Sequence, residues 1–562
     1  MKKTSKSSQK SVDRSDGTAV LIPSGTIRVT EDDILERLLD VPDPRKIVQG
    51  MSHQDYYWLV KNADDEWFAL IALGSERQWQ YLLDLDLWDR DRVDPEQLKI
   101  WMERYAEADP DRFVAWLFKD GLSLAYTYLH QMVEVMALAP DEEERVIPEG
   151  FFTLDGSLYV RPREEESYPV IHGILEAMAR LDLARYEWIL ISLAGTASAE
   201  LEEEMYHFRN ARLADDGFLP FDEALALYVP LDPDILESDG MRGIDVTIAD
   251  GEEPLSVPRL PIARAASGGL LGEALNGLSH DPVMDRLCLE FAGLANRIIA
   301  ADGLAGRELD HMVGAAEKAG GHVNLALEHL VGDDVALAEA YLRRNPVESL
   351  FRAGYGLVDA VVREARDFVR ESWFRQAGIS LNFWGEAAEL VLNGLMSRRP
   401  RYYDGSTYRE FEGTGDLESC RTVLGGLIAL DGLFSRLDQH RLLAVPADMT
   451  YSTVLITLYA RRLTGAEPEF GGISLSRAGE FLNLLREGEP GSPYFMKGRG
   501  ERFVEEFLGL VSETAATSSG RLLAHNLASV WHEFQDEYEN VEAADLSPRY
   551  SRLIFIVDEG DL

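Results

Sequence analysis

Two Glu-x-x-His pairs have the residue types and the spacing of metal ligands. They are Glu204/His207 and Glu308/His311. In helical bundles, two such pairs together with two further glutamates hold a di-iron site. The apolar stripe of the first pair's helix runs through Leu201, Met205 and Phe208. That stripe leaves His207 on a different face, and His311 also lies opposite its own apolar stripe. Both pairs are candidate metal ligands. The helix faces on which they lie argue against a metal site that points into a helical bundle.

A second set of candidate metal ligands lies near the end of the chain. His525, His532 and Asp536 fall on one face of a predicted helix, opposite a face of large apolar residues. The zincin pattern needs His-Glu-x-x-His, and here His532-Glu533 is followed by Asp536 instead of the second histidine. Two histidines and one aspartate are too few to close a zinc site. A solvated helix face is the alternative interpretation.

The run from Asp84 to Asp91 contains four aspartates and has the oxygen ligands that Mg²⁺ or Ca²⁺ prefers. It does not match an EF-hand loop, because the sixth position is Asp89 instead of glycine and the twelfth is Pro95 instead of glutamate. We therefore expect a solvated acidic loop here.

A basic and aromatic island interrupts the acidic sequence, and we call residues 398–411 the Arg–Tyr segment. Its candidate contact residues are Arg398, Arg399, Arg401, Tyr402 and Tyr403. Arginine and tyrosine are enriched at the energetic centres of protein interfaces. The segment is therefore our candidate interaction surface, with an ordinary loop between helices as the alternative.

Motifs of nucleotide-binding and hydrolytic enzymes are missing from the sequence. It has no Gly-x4-Gly-Lys-Ser/Thr phosphate loop and no Gly-x-Ser-x-Gly nucleophile elbow. No catalytic residue can be assigned, so we lean against an enzyme. No cofactor is expected, apart from a divalent cation at the candidate ligands above.

Composition excludes several classes of protein. The 562 residues include 98 acidic and 55 basic side chains, for a net charge of -43. Such a field repels phosphate backbones, so we expect no nucleic-acid partner. The two cysteines, Cys288 and Cys420, lie on apolar helical stripes and are expected to pack in the core. The longest apolar stretch is shorter than the ~20 residues that cross a bilayer, which favours a cytoplasmic protein without an integral membrane segment.

The pattern of apolar residues predicts a mainly α fold, with an α-solenoid-like or multi-helical bundle architecture and one small β-hairpin. Asp-Pro pairs at Asp43, Asp94 and Asp109 predict helix starts. Asp155-Gly156 between two β-prone triplets predicts the hairpin. The apolar residues 553–557 predict a terminal strand, for which we considered that hairpin as the partner.

Composition shifts divide the chain into nine predicted segments. These are a disordered tail (1–29), a repeat-like helical domain (30–140), an acidic segment with the hairpin (141–170), a helical segment (171–228), an irregular linker (229–269), a central helical domain (270–400), a loop (401–415), a C-terminal helical domain (416–545) and a tail (546–562).

Three stretches resemble known proteins. The stretch Glu204–Phe218, continuing through residues 221–225, resembles a bacterial family of similar length known as a domain of unknown function. The short helices around residues 35–39, 47–58 and 79–83 are similar to the cytosolic helical domain of bacterial magnesium transporters. Ala301-Asp302-Gly303 with Glu308 resembles a helix joint of tellurite-resistance-type proteins, although a glycine after a helix end is common. The resemblance to the family of unknown function implies no activity.

These observations favour a scaffold or regulatory protein that binds an unknown protein partner. A metal-dependent enzyme or a divalent-cation sensor is the alternative.

Overall fold

Helices make up most of the regular structure in the computed structural model of the chain. It describes residues 42–63, 67–89, 92–137, 148–193, 199–236, 257–266, 268–304, 308–438, 449–467, 470–486, 499–511 and 517–557. Within these ranges the strands have two to five residues, whereas the longest helices have 25. The expected mainly α fold is confirmed. No described helix combines the length and apolar character that a bilayer crossing requires.

The described residues form two compact units, one ending at Ala353 and the other beginning at Gly354. This division falls within a helix. The finer segments predicted from the sequence, including the repeat-like domain 30–140, stay predictions. The predicted tail 1–29, the acidic residues 141–147 and most of the linker 229–269 lie outside the described residues.

The first unit contains seventeen described helices, the last of which continues into the second unit. They are α1 (Pro44–Gln49), α2 (His53–Asn62), α3 (Trp67–Leu73), α4 (Glu76–Asp86), α5 (Pro95–Ala108), α6 (Pro110–Lys119), α7 (Leu122–Met132), α8 (Tyr168–Leu181), α9 (Leu183–Leu193), α10 (Ala199–Asp215), α11 (Phe221–Ala224), α12 (Leu260–Ala265), α13 (Gly269–Gly277), α14 (Val283–Asp302), α15 (Leu309–Val331), α16 (Val335–Arg344) and α17 (Val347–Glu371).

Aspartates start three of these helices as the sequence predicts. The side chains of Asp43, Asp94 and Asp109 accept hydrogen bonds from first-turn backbone N–H groups of α1, α5 and α6, and a proline follows each of them. The buried face of α5 consists of Leu98, Trp101, Met102 and Tyr105, which is the predicted stripe. Capping and periodicity therefore predict this region well.

The predicted hairpin is confirmed as part of a larger sheet. Strand β4 (Phe152–Thr153) pairs antiparallel with β5 (Leu158–Pro162) across the Asp155-Gly156 turn. On its other edge β5 pairs with β3 (Val133–Ala137), where helical residues were expected. β3 follows α7 directly, and its residues alternate only weakly between buried and exposed positions. Its sequence therefore did not indicate a strand. A further two-stranded ladder joins β1 (Trp88–Asp89) and β2 (Arg92–Val93).

A partly buried carboxylate joins the N-terminal helices to α12. Asp55 of α2 accepts hydrogen bonds from Arg259 N at 3.0 and 2.9 Å and from Leu260 N at 2.9 Å. These N–H groups lie at the start of α12, where the helix itself offers them no acceptor. Burial raises the pKa of Asp55, and the backbone hydrogen bonds oppose that shift. Asp55 thus caps a helix that lies about two hundred residues further along the chain.

The end of α10 packs closely on α14. Gly217 follows α10 with φ +90°, and a Cβ at this position would lie 2.8 Å from the carbonyl oxygen and 2.9 Å from the Cα of Gly293. Both values are shorter than ordinary carbon contacts. Gly217 therefore satisfies two requirements, a left-handed backbone and a close approach of two backbones.

The second unit contains the rest of α17 and seven further described helices. They are α18 (Trp373–Gln376), α19 (Glu386–Met396), α20 (Thr414–Asp438), α21 (Tyr451–Leu463), α22 (Leu475–Leu485), α23 (Arg499–Gly509) and α24 (Ser518–Tyr538). In its core, Trp384 contacts the rings of Phe374, Phe383 and Phe434 at centroid distances of 5.0 to 6.1 Å. Asp431 of α20 accepts hydrogen bonds from the backbone N–H groups of Trp373 and Phe374 at 3.0 and 3.2 Å.

The terminal strand pairs within the second unit. β9 (Ile556–Val557) runs parallel to β8 (Ile473–Ser474), so the considered pairing with the hairpin was wrong. Two residues show too little alternation of apolar and polar side chains to identify a distant pairing partner. The second short ladder of this unit joins β6 (Tyr402–Tyr403) and β7 (Tyr408–Arg409).

Both cysteines are buried, as expected. Burial raises the pKa of each thiol to about 12, which suppresses the reactive thiolate at neutral pH.

We expect Gly217→Ala to lower the free energy of unfolding by about 2–4 kcal/mol, because it combines a strained backbone with a clash against Gly293. Gly173→Ala is the matched control, since Gly173 is exposed within α8 and a Cβ there would contact nothing within 4 Å. Alanine at this helical position should stabilise by up to about 1 kcal/mol. Urea denaturation of both variants measures the difference, and equal midpoints would contradict the close contact.

Candidate functional site

Of the two Glu-x-x-His pairs, Glu204, His207 and Glu308 are exposed and His311 is half-buried. His207 has 74% of its side chain exposed and lies 4.0 Å from Glu203, while Glu204 points into solvent. His311 lies 3.3 Å from Glu308, at the start of α15. The predicted stripe on α10 was wrong for Phe208, which is 58% exposed. Instead, α10 buries Leu213 and turns two arginines toward α4.

His525, His532 and Asp536 lie on the exposed face of α24. His532 is 3.7 Å from Asp536, with 77% and 67% of these side chains exposed. Within the described ranges, no group of three or more His, Cys, Asp or Glu side chains could hold a metal ion. The seven candidate ligands therefore stay predictions that carry no geometry of a metal site.

The Arg–Tyr segment forms a small, well-anchored hairpin of β6 and β7. The turn is closed by Asp404, whose Oδ1 accepts hydrogen bonds from Ser406 N at 2.8 Å and Thr407 N at 2.9 Å. Those bonds lower the pKa of Asp404, because they stabilise its ionised form. Gly405 supplies the left-handed residue with φ +102°. The turn is typical of an Asx turn, which fixes the loop locally.

A partly buried ion pair fixes the base of the hairpin. Both terminal nitrogens of Arg409 bind the carboxylate of Asp416 in α20 at 2.8 Å, and this pairing raises the pKa of Arg409. The guanidinium also lies 4.6 Å from the ring centroid of Tyr402, and Tyr402 contacts the buried Phe411. Bidentate arginine–carboxylate pairs hold both position and orientation.

The outer side of the same segment presents its remaining charge to solvent. Arg398 is exposed, and Arg401 has 57% of its side chain exposed, with Glu410 at 3.9 Å. Arg399 and Tyr403 are half-buried, and the Tyr403 hydroxyl donates to Gly405 O at 3.1 Å. The segment thus presents two exposed arginines and the half-buried Tyr403, on a backbone held by the hydrogen bonds described above.

The acidic run contains the residues that sequence reasoning missed. A solvated loop was expected there, but Asp84 and Asp86 lie in α4 and are only 3% and 1% exposed. Asp86 accepts hydrogen bonds from Tyr57 Oη at 2.8 Å, Lys61 Nζ at 3.0 Å and Trp101 Nε1 at 2.9 Å. Four donated bonds from three side chains, two of them from Lys61, replace the water that this carboxylate gives up on burial.

The second buried aspartate is held by the segment that resembles a known family. Arg212 of α10 binds Asp84 through Nε at 2.6 Å and Nη2 at 2.7 Å, and Arg209 Nε donates to Asp84 O at 2.6 Å. Burial raises the pKa of Asp84 against the effect of Arg212, and burial also lowers the pKa of Arg209. One signal was available, because Arg209 and Arg212 are three residues apart on one helix face.

Another buried ion pair lies between α14 and α15. Lys318 Nζ is 2.9 Å from Asp302, and the Tyr228 hydroxyl donates to the same carboxylate at 2.6 Å. His322 is fully buried one turn further along α15, where burial, followed by the Lys318 charge, lowers its pKa to about 3. Gly303 ends α14 with φ 67°, as expected for a helix C-cap. The pair joins α14 to α15.

Comparison with known proteins assigns the chain to a family without assigning an activity. A family model described as "Family of unknown function (DUF6178)" matches residues 27–557. No curated protein and no solved structure matches the chain. The expected membership of a domain of unknown function is confirmed, whereas the similarity to magnesium transporters is not shown.

We expect Asp84→Asn to lower the free energy of unfolding by about 1.5–3 kcal/mol, because it removes the buried carboxylate that Arg212 binds through both Nε and Nη2. Asp89→Asn is the matched control, since Asp89 belongs to the same acidic run but is exposed. That change should stay within about 0.5 kcal/mol of the wild type. Chemical denaturation of both variants measures the effect, and an equal small loss would show that Asp84 is not the anchor.

Proposed function

Because the chain belongs to the family of unknown function DUF6178, whose description names no activity, we propose its role from its surfaces. It acts as a cytoplasmic scaffold or regulatory protein that binds another protein. Its contact surface is the Arg–Tyr segment, centred on Arg398, Arg401 and Tyr403.

The observation that carries this proposal is the combination of an anchored hairpin with exposed arginines just before its first strand. The Arg409–Asp416 pair and the Asp404 turn fix the backbone. Because the loop is already ordered, binding loses less conformational entropy than it would for a flexible loop.

Charge supports a protein partner with an acidic contact face. The chain has a net charge of -43, so most of its surface repels acidic proteins. Arg398 and Arg401 give the Arg–Tyr segment the opposite local sign. Complementary charges at this position set both the association rate and the orientation of the partner.

Affinity capture of the tagged full-length chain from its own host tests the proposal. We expect a partner at near-equal stoichiometry that is lost when Arg398, Arg399 and Arg401 are changed to Glu. The control changes three exposed arginines elsewhere in the second unit, Arg375, Arg502 and Arg521, to Glu and alters net charge equally. This variant should keep the partner. Loss of binding in both variants, or no partner at all, would contradict a specific contact at the segment.

Metal analysis of the same preparations distinguishes the alternative function. Protein purified without chelators should contain no stoichiometric transition metal. A stoichiometric metal that disappears in a His207→Ala, His311→Ala double variant would favour the metal-dependent enzyme or cation sensor instead.

A further inference from the structure

Helix α10 is held on the first unit mainly by polar contacts. Among its described side chains only Leu213 is buried. Arg212 binds the Asp84 carboxylate at 2.6 and 2.7 Å, and Glu202 Oε1 accepts a hydrogen bond from Val93 N at 2.9 Å. Segments with few buried apolar contacts open at a lower free energy than the core of a domain does. The contacts of α10 therefore favour local opening of this helix.

The contact between α10 and its neighbours is also incompletely filled. A cavity of about 90 Å³ lies between α10, α4 and α7. Close-packed interiors hold few voids larger than a water molecule, which occupies about 30 Å³ in the liquid. Opening this contact therefore loses fewer van der Waals contacts than opening a filled helix interface, and it returns water to the Asp84–Arg212 pair.

The end of α10 meets α14 at a sharp turn. Asn296 Nδ2 of α14 donates a hydrogen bond to the backbone oxygen of Asp216 at 2.6 Å. The next residue is Gly217, with φ +90° and its backbone against Gly293. The docked position of α10 thus holds Asp216 at the junction, where the residue is half-buried.

The carboxylate of Asp216 has no partner at this junction. Within the described ranges it forms neither a hydrogen bond nor an ion pair. The titratable groups that face it are Asp215 of α10 and Asp84 and Tyr81 of α4, while α14 contributes the uncharged Asn296. Burial, followed by the charges of Asp215 and Asp84, raises the pKa of Asp216 to about 6. The docked position of α10 therefore favours the protonated form of this carboxyl group.

We propose that α10 is a pH-sensitive strap, which is docked on α4 and α14 while Asp216 is protonated and loosens when Asp216 ionises. Once α10 lifts, water reaches the carboxylate and its pKa returns to the ordinary value of 3.8. Because the pKa is higher in the docked state, docking is strongest below that ordinary value and weakens as the pH rises through about 6. Loosening uncovers Trp88, whose ring contacts Tyr206 of α10 at a centroid distance of 5.7 Å. The strap is independent of the Arg–Tyr segment, which belongs to the other unit.

Amide hydrogen exchange of the full-length protein, read by mass spectrometry, tests the proposal. An undocked helix of 17 residues is only marginally stable by itself, so its amides exchange when α10 lifts. After correction for the intrinsic pH dependence of exchange, the protection factors of α10 should fall about tenfold between about pH 5 and about pH 7.5. Asp216→Asn cannot ionise at this position, so its α10 should stay protected across the same range.

The matched control is Asp222→Asn, which removes an exposed aspartate from the following helix α11. This variant should show the same fall as the wild type. Protection of α10 that does not depend on pH in the wild type, or that falls equally in Asp216→Asn, would overturn the proposal. So would an equal fall in the amides of α8, because the pH would then act on the unit as a whole.

Discussion

An acidic chain that folds must supply a donor for each carboxylate that it removes from water, and the pair between Asp84 and Arg212 shows how this chain does so. Asp84 is 3% exposed and is bound by a residue 128 positions away. The same arrangement recurs at Asp86, Asp302 and Asp416, whose donors come from other elements. In each case the carboxylate joins two helices, or a helix and a hairpin. Because burying a carboxylate without its partners is costly, each pair favours the packing of the elements that it joins.

The sequence predicted the features that depend on neighbouring residues. Asp94 caps α5 because its carboxylate and the acceptorless N–H groups are only two and three residues apart. The Asp155-Gly156 turn and the buried stripe of α5 follow from local conformation and from helical periodicity in the same way. The features that sequence reasoning missed depend on distant residues. Asp84 and Asp86 look like solvated charges until Arg212 and Trp101 are placed beside them. Phe208 fits an apolar stripe by spacing, yet α10 turns a different face inward.

The candidate surfaces follow the same distinction. The composition of the Arg–Tyr segment marked it as unusual. Only the structure distinguishes the arginine that anchors the segment from those that lie at the surface. Arg409 anchors the hairpin on Asp416, whereas Arg398 and Arg401 stay available at the surface. The structure does not bring the candidate metal ligands together into one site. Their spacing in the sequence is therefore the only observation that supports them.

The capping of α12 by Asp55 has a consequence for how the protein is made. The carboxylate and its N–H donors are 204 and 205 residues apart. At a synthesis rate of roughly 5–20 residues per second, Asp55 leaves the ribosome about 10–40 s before its donors do. During that interval the face of α2 that will meet α12 has no partner on the nascent chain. The N-terminal helices therefore complete their packing against α12 only after the middle of the chain has been synthesised.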